Sequence, residues 1–338
     1  MIINSIAYPR AGLVGNPSDG YHGKTIAFTF SNFSAKVVLY QTPRLEILPT
    51  TRDVSHFDNI QSLVEDVRIN GYYGGIRLLK ATIKRFYDYC RTCQIKLDDR
   101  NFTLQYQTDI PSRVGMAGSS AIITACLRAL MAFYGVHISR PVQANLILSV
   151  ENCELGIPAG LQDRVAQVYQ GIVYMDFNKK LMEEQGYGKY ELLSYKQFPP
   201  IYLAYRDDMS EGTEIFHNDL RGRFNRGEPD VVQAMEFWAN LTDQVKEAIL
   251  AGEGHERIGP LLNSNFDKRK ELYQISKGNL EMVAAARSVG ASAKFCGSGG
   301  AIVGTYRDEQ MYQKLESTLK QLGISVLKPK FVEPSLTM

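Results

Sequence analysis

Cysteine is scarce in this chain: five residues, an odd number scattered over 338 positions, form no disulfide framework. Cys90 and Cys93 are the one close pair. They fall late in an expected helix, Arg77 to Cys93, with no second pair to complete a zinc site, so they read as incidental. The five histidines, His22, His56, His137, His217 and His255, lie too far apart in sequence to suggest a metal cluster. No apolar run is long enough to cross a membrane, because the longest, 121–133, is interrupted by Arg128. The first ten residues lack the basic region and apolar core of a signal peptide, so a cytoplasmic location is expected. Charge of one sign is also lacking. Lysine plus arginine number 38 against 36 for aspartate plus glutamate, with no long basic block, which argues against nucleic acid as a partner. Internal repeats and low-complexity tracts are absent.

A hydrophobic content of 44% marks a folded globular chain, and 338 residues exceed what one core usually fills. Two domains of comparable size are therefore expected. The polar, glycine-containing stretch 178–195 supplies the boundary, giving 1–190 and 191–338. Short strand-like runs dominate the beginning: Ile2 to Tyr8, Arg10 to Pro17, Thr25 to Phe30 and Ala35 to Tyr40. A surface helix over Asp53 to Val67 and a Gly71-Tyr-Tyr-Gly-Gly75 segment follow, where Tyr72 and Tyr73 offer either packing or a stacking surface. After residue 214 the chain is helix-rich, ending in a strand–helix–strand pattern from Ala301 to Phe331.

The organising stretch is Pro111-Ser-Arg-Val-Gly-Met-Ala-Gly-Ser-Ser-Ala121. Before it, Phe102, Leu104, Tyr106 and Ile110 share one parity, as in a half-buried strand; behind it lies the apolar run of a buried helix. A helix start offers free N–H groups and a positive dipole end, and glycines let an anion approach the backbone. Ser119 and Ser120 sit where an N-cap is expected, and either hydroxyl suits a phosphate oxygen or Mg²⁺. The loop is not a Walker P-loop, since Ser119 stands in place of the lysine.

Other polar turns punctuate the chain. Arg10, Asn16 and Asp19, around Gly15 and Pro17, combine donors and acceptors suited to sugar hydroxyls. Glu151 and Glu154 fall in the last turns of a helix expected over 141–155, where they oppose the dipole; a divalent cation explains one of them. Gly156-Ile-Pro-Ala-Gly-Leu-Gln-Asp163 then ends at an aspartate that either caps the following helix or does chemistry. Lys294-Phe-Cys-Gly-Ser-Gly-Gly300 is a late glycine loop. It does not fit a dinucleotide fingerprint, because Ile302 occupies the last glycine position.

Three glycine stretches in this order resemble the GHMP small-molecule kinases: Arg10-x4-Gly15, Pro111-x3-Gly115-x2-Gly118-Ser-Ser-Ala121 and Gly297-Ser-Gly-Gly300. Within that superfamily, Arg10 to Asp19, Gly71 to Gly75, Gly156 to Tyr169 and Asn265-Phe-Asp-Lys-Arg269 are similar to the glucuronokinases, across nearly the whole length. The resemblance implies an α+β GHMP kinase fold, with an N-terminal domain like ribosomal protein S5 domain 2 and a C-terminal ferredoxin-like domain. It implies ATP-dependent phosphorylation of a sugar, here a uronic acid, by a soluble monomer or homodimer. By position, Arg113, Val114, Gly115, Met116, Ala117, Gly118, Ser119 and Ser120 would wrap the triphosphate, and Ser120 and Glu151 would hold Mg²⁺. Asp163 falls on the catalytic-base position, assisted by Arg10. Asn16, Asp19 and Arg164, with Gly297, Ser298 and Gly299, complete the expected substrate site.

One departure bears on substrate. Many members carry Gly-Glu-His where this chain has Gly15-Asn16-Pro17, and the change removes a carboxylate that would repel an anionic sugar. A uronate also needs a cation, since an unpaired carboxylate is costly to desolvate; Arg10, Lys24, Arg77 and Arg164 are the candidates. Competing expectations are a kinase for galacturonate, galactose, mannose or a heptose, a decarboxylase of the mevalonate diphosphate type, and a non-catalytic sensor of ATP and sugar.

Overall fold

A computed structural model describes residues 1–50, 74–206 and 214–334. The expected helix over Asp53 to Val67, and Tyr72 and Tyr73, lie outside the described residues. In chain order come β1 (Ile2–Ala7), β2 (Arg10–Val14), β3 (Lys24–Thr29), β4 (Ala35–Thr42), β5 (Glu46–Ile47), α1 (Gly75–Thr92), β6 (Asn101–Thr108), α2 (Gly118–Tyr134), α3 (Arg140–Ser149), α4 (Leu161–Tyr169), β7 (Ile172–Asp176), α5 (Lys179–Gln185) and β8 (Lys189–Leu193). The second part adds β9 (Ile201–Tyr205), α6 (Glu214–Asn225), α7 (Pro229–Leu250), α8 (His255–Leu272), α9 (Lys277–Ser288), β10 (Lys294–Phe295), β11 (Ala301–Thr305), α10 (Glu309–Lys320) and β12 (Ser325–Leu327).

Burial follows the sequence pattern. In β6 the expected Phe102, Leu104 and Tyr106 are buried, and the strand lies second in the order β1-β4-β6-β5 counted from its β5 edge. The next sheet, β2-β3-β7-β8, has β2 buried at every residue. It is covered by α4 on β2, β3 and β7 and by α7 on β2 and β3. Both covers are needed for a strand as continuously apolar as Ala11 to Val14. Helix α2 is buried along almost its whole length and packs against α1, α4, β1 and β4. Ala121, Ala125 and Ala129, at four-residue spacing, form a stripe without accessible surface, which lets backbones approach closely. Gly135 then ends the helix in the left-handed conformation that favours glycine.

The last sheet runs β10-β11-β9-β12, all antiparallel. Numbered within this part, the strand order is 2-3-1-4, the split β-α-β of a ferredoxin-like unit. A division at 190/191 needs correction, because it cuts through β8, whose five residues pair with all of β7. The change of sheet falls at residues 194–200. Composition misled here because α5 has no buried residue and β8 is an edge strand, so neither carries a strong apolar period.

The two parts are sewn together by α7 and α8. Trp238 of α7 is fully buried and donates its indole N–H to Asn265 O at 3.1 Å. Thr242 donates its hydroxyl to Lys24 O at 3.0 Å, and Asn265 Oδ1 accepts the Gly15 N–H at 2.7 Å. No helix among the described residues is long and apolar enough to cross a membrane.

Candidate active site

Arg10 opens β2 and is the hub. Its side chain is 6% exposed. Nε donates to Asp163 Oδ1 at 2.6 Å, while Nη1 donates to Gly115 O at 2.6 Å and Cys296 O at 3.1 Å. One guanidinium therefore joins the central loop, the start of α4 and the late glycine loop. Asp163 sits in the first turn of α4, inside the helix rather than capping it. Burial pushes its carboxyl up, but Arg10 and Arg164, together with hydrogen bonds from Arg10 and Gln162, outweigh that and hold it below the usual aspartate range. The group is thus kept ionised.

Arg164 is as buried as its partner. Its Nη2 pairs with Glu151 Oε2, Nη1 donates to Gly160 O at 2.8 Å, and Asp163 Oδ2 lies 3.3 Å from Nη1. Glu151 lies on a single π turn, Val150–Glu154, that continues α3. Its other oxygen, Oε1, accepts the Ser119 hydroxyl at 2.8 Å. The Ser120–Glu151 pairing expected from position is not what the geometry shows. Ser120 is fully buried and turns its hydroxyl back onto Ala117 O at 3.1 Å, because α2 begins at Gly118 with Ala117 as N-cap, so both serines are already in the first turn.

The donor set suits Mg²⁺. With metal–oxygen bonds of about 2.0–2.1 Å, neighbouring oxygens of an octahedral ion stand about 2.9 Å apart, close to the Ser119–Glu151 spacing. Among the described residues no cluster of three or more His, Cys, Asp or Glu side chains gathers a metal, so phosphates and water would supply the remaining ligands, as is usual for this ion.

The central loop has positive φ at alternate residues, Arg113 at 61°, Gly115 at 69° and Ala117 at 61°. For arginine and alanine this conformation costs about 1–2 kcal/mol each, and such strain clusters at ligand sites. Val114 and Met116 point into the core, so these residues offer backbone rather than side chain. No side chain caps α2, leaving its first N–H groups to an outside acceptor. The late loop closes on this one: a Cβ on Gly297 would stand 2.5 Å from Gly115 O, and one on Gly115 would stand 2.9 Å from Gly299 O. Both positions therefore require glycine.

The 16–19 turn divides its roles. Asn16 is buried and committed to protein: Oδ1 accepts from Lys294 Nζ at 2.6 Å and Nδ2 donates to Gly297 O at 3.4 Å. It holds the late loop, so one donor and one acceptor site of its amide are given to protein rather than to a sugar. Asp19 accepts the Gln162 N–H at 3.4 Å. Burial, then the charge of Asp163, pushes its carboxyl up to about 6.

Sequence reasoning gave no site role to two buried cations. Lys294 donates to Gly12 O, Asn16 Oδ1 and Phe295 O at 2.6–2.7 Å, and burial holds it well below the ordinary lysine range. Arg269 donates to Gly297 O at 3.0 Å and Ser298 O at 3.3 Å. The available signal was the Asn265–Arg269 spacing: four residues apart on α8, both face the glycine loops.

Residues 77–171 match the family described as GHMP kinases N terminal domain. The chain is 43% identical over 304 residues to probable glucuronokinase 2 of Arabidopsis thaliana, covering 88% of this chain and 82% of that one. It is 40% identical over 336 residues to glucuronokinase 1 of the same plant, with 97% and 92% covered. The chain belongs to the GHMP kinases. A GHMP kinase fold is what the solved structures share with it: Lactococcus lactis galactokinase complexed with galactose superposes with a TM-score of 0.78 at 15% identity, over 100% of this chain and 95% of that one. As a GHMP kinase the chain is an ATP-dependent phosphotransferase, and its interlocked glycine loops lie together with the Arg10–Asp163 pair.

Proposed function

We propose that the protein transfers the γ-phosphoryl group of ATP to the anomeric hydroxyl of D-glucuronate, giving D-glucuronate 1-phosphate and ADP. The observation that carries this reading is Asp163, an ionised carboxylate fixed by Arg10 at the meeting of the two glycine loops. The two glucuronokinase relatives support the choice of sugar. A sugar hydroxyl bonded to the free lone pairs of Asp163 would give up its proton there as it attacks the phosphorus in line. The backbone of 113–120 and the first turn of α2 would receive the phosphate oxygens, with Ser119 and Glu151 holding Mg²⁺ in this arrangement. That ion would neutralise phosphate charge during transfer. Asp19 would accept a ring hydroxyl.

The test is Mg²⁺-dependent ADP release with glucuronate, galacturonate, glucose, galactose and mannose, with the phosphorylated carbon identified by NMR. Turnover on glucuronate with phosphate on C1 is expected. Asp163→Asn should lower kcat by about 10²–10⁴-fold while ATP still binds. Undiminished turnover in that variant would remove Asp163 from the base role, and turnover restricted to a neutral sugar would overturn the choice of substrate.

A further inference from the structure

The cations that the sequence offers for a uronate carboxylate have other partners in the fold. Arg10 holds Asp163, Arg164 holds Glu151, Lys24 pairs with Asp243 at 2.6 Å, and Arg77 donates to Leu155 O at 3.1 Å. Lys294 has its three donors on three neutral oxygens. Arg269 differs from all of these. It is 5% exposed, its hydrogen bonds go to the carbonyls of Gly297 and Ser298, and no carboxylate of the described residues pairs with it. Its guanidinium lies 5.2 Å from the Phe295 ring centre and 4.9 Å from that of Tyr273, contacts that offset only part of the cost of burying a charge without its counter-ion. Three of its five N–H donors are not used by those two carbonyls.

Its position is also right. Gly297 O accepts from both Arg269 Nη1 and Asn16 Nδ2, so the guanidinium stands one carbonyl away from the 16–19 turn, and Asp19 is among the charges that act on it. We propose that Arg269 receives the carboxylate of the sugar and so sets the preference for a uronic acid over a neutral sugar. The assignment rests on the uronate-kinase reading above. A guanidinium fork bonds both carboxylate oxygens at once, which a lysine ammonium does not.

The experiment compares glucuronate with glucuronamide, which has the same shape without the charge, as substrates for the wild type, Arg269→Gln and Arg269→Lys. The wild type should prefer glucuronate. Arg269→Gln should reduce the ratio of the two kcat/KM values by at least about thirtyfold, the range for truncating one side of a buried charge pair, chiefly through the KM for glucuronate. Arg269→Lys should give an intermediate ratio; it also carries the test if the glutamine variant does not fold. A ratio unchanged in either folded variant overturns the assignment, as does a wild type that treats the two sugars alike. A wild type that phosphorylates neutral sugars and neither of these overturns the substrate reading itself, and is distinguished from the other outcomes by the wild-type data alone.

Discussion

Removing Arg164 should be among the most destabilising single changes in the site. The Arg164 and Glu151 side chains are 4% and 3% exposed, so Arg164→Met leaves the Glu151 carboxylate in the interior with the Ser119 hydroxyl as its remaining side-chain donor among the described residues. The Gly160 carbonyl also loses its donor. Breaking one side of a buried pair costs about 3–5 kcal/mol, because the surviving charge is uncompensated, whereas replacing both members by neutral groups is often close to neutral. The Arg164→Met, Glu151→Gln double variant should therefore recover most of the loss. Urea unfolding of the four proteins, without nucleotide, measures the cycle. A single-variant loss below about 1 kcal/mol, or a double variant whose losses simply add, would refute the reasoning: the pair would then be solvated in solution, and Glu151 would not depend on Arg164 for its place.

Gly297→Ala puts a methyl group 2.5 Å from Gly115 O, which the loops can relieve only by parting; a loss of about 1–3 kcal/mol and a raised KM for ATP are expected, and wild-type values for both would sink the interlock argument. Asp19 has its carboxyl raised from 3.8 to about 6, so between those values the folded state binds more protons than the unfolded chain and this group's contribution to stability is lost as pH rises through about 6. Asp19→Asn should match the wild type near pH 4 and exceed it in unfolding free energy at pH 7, and a difference constant with pH would show that Asp19 is not the group responsible.

Much of the first part was legible because local rules agree with the tertiary result. The alternation of Phe102, Leu104 and Tyr106, and the apolar run behind the central loop, specify β6 and α2 without long-range information. The order of the glycine stretches was legible as a resemblance. What could not be read was partnership. Whether Ser119 or Ser120 meets Glu151 depends on the residue at which α2 starts, and Ala117 in the left-handed conformation is a poor match to any capping preference. Asn16 looked like a sugar ligand because its type suits one; Lys294, 278 residues away, determines that its carbonyl oxygen is occupied. Arg269 was legible as part of the Asn265–Arg269 motif but not as a site residue, because an arginine between two lysines on a polar helix usually faces solvent.

The same separations decide when the site comes into being. Arg10 reaches Gly115 across 105 residues, Asp163 across 153 and Cys296 across 286, and each such closure costs chain entropy before any contact rewards it. Helix α2, by contrast, is held by bonds within a few residues. The Arg10 junction therefore requires both parts of the chain to be in place. Until they are, Arg10 can meet Asp163 and Gly115 but not Cys296, and the two glycine loops lack the shared arginine that sets their spacing. Burying Asp163 is favourable only alongside Arg10, and Arg10 is fully bonded only when residue 296 has arrived. The same contacts that make the site competent thus fasten the C-terminal sheet to the N-terminal one.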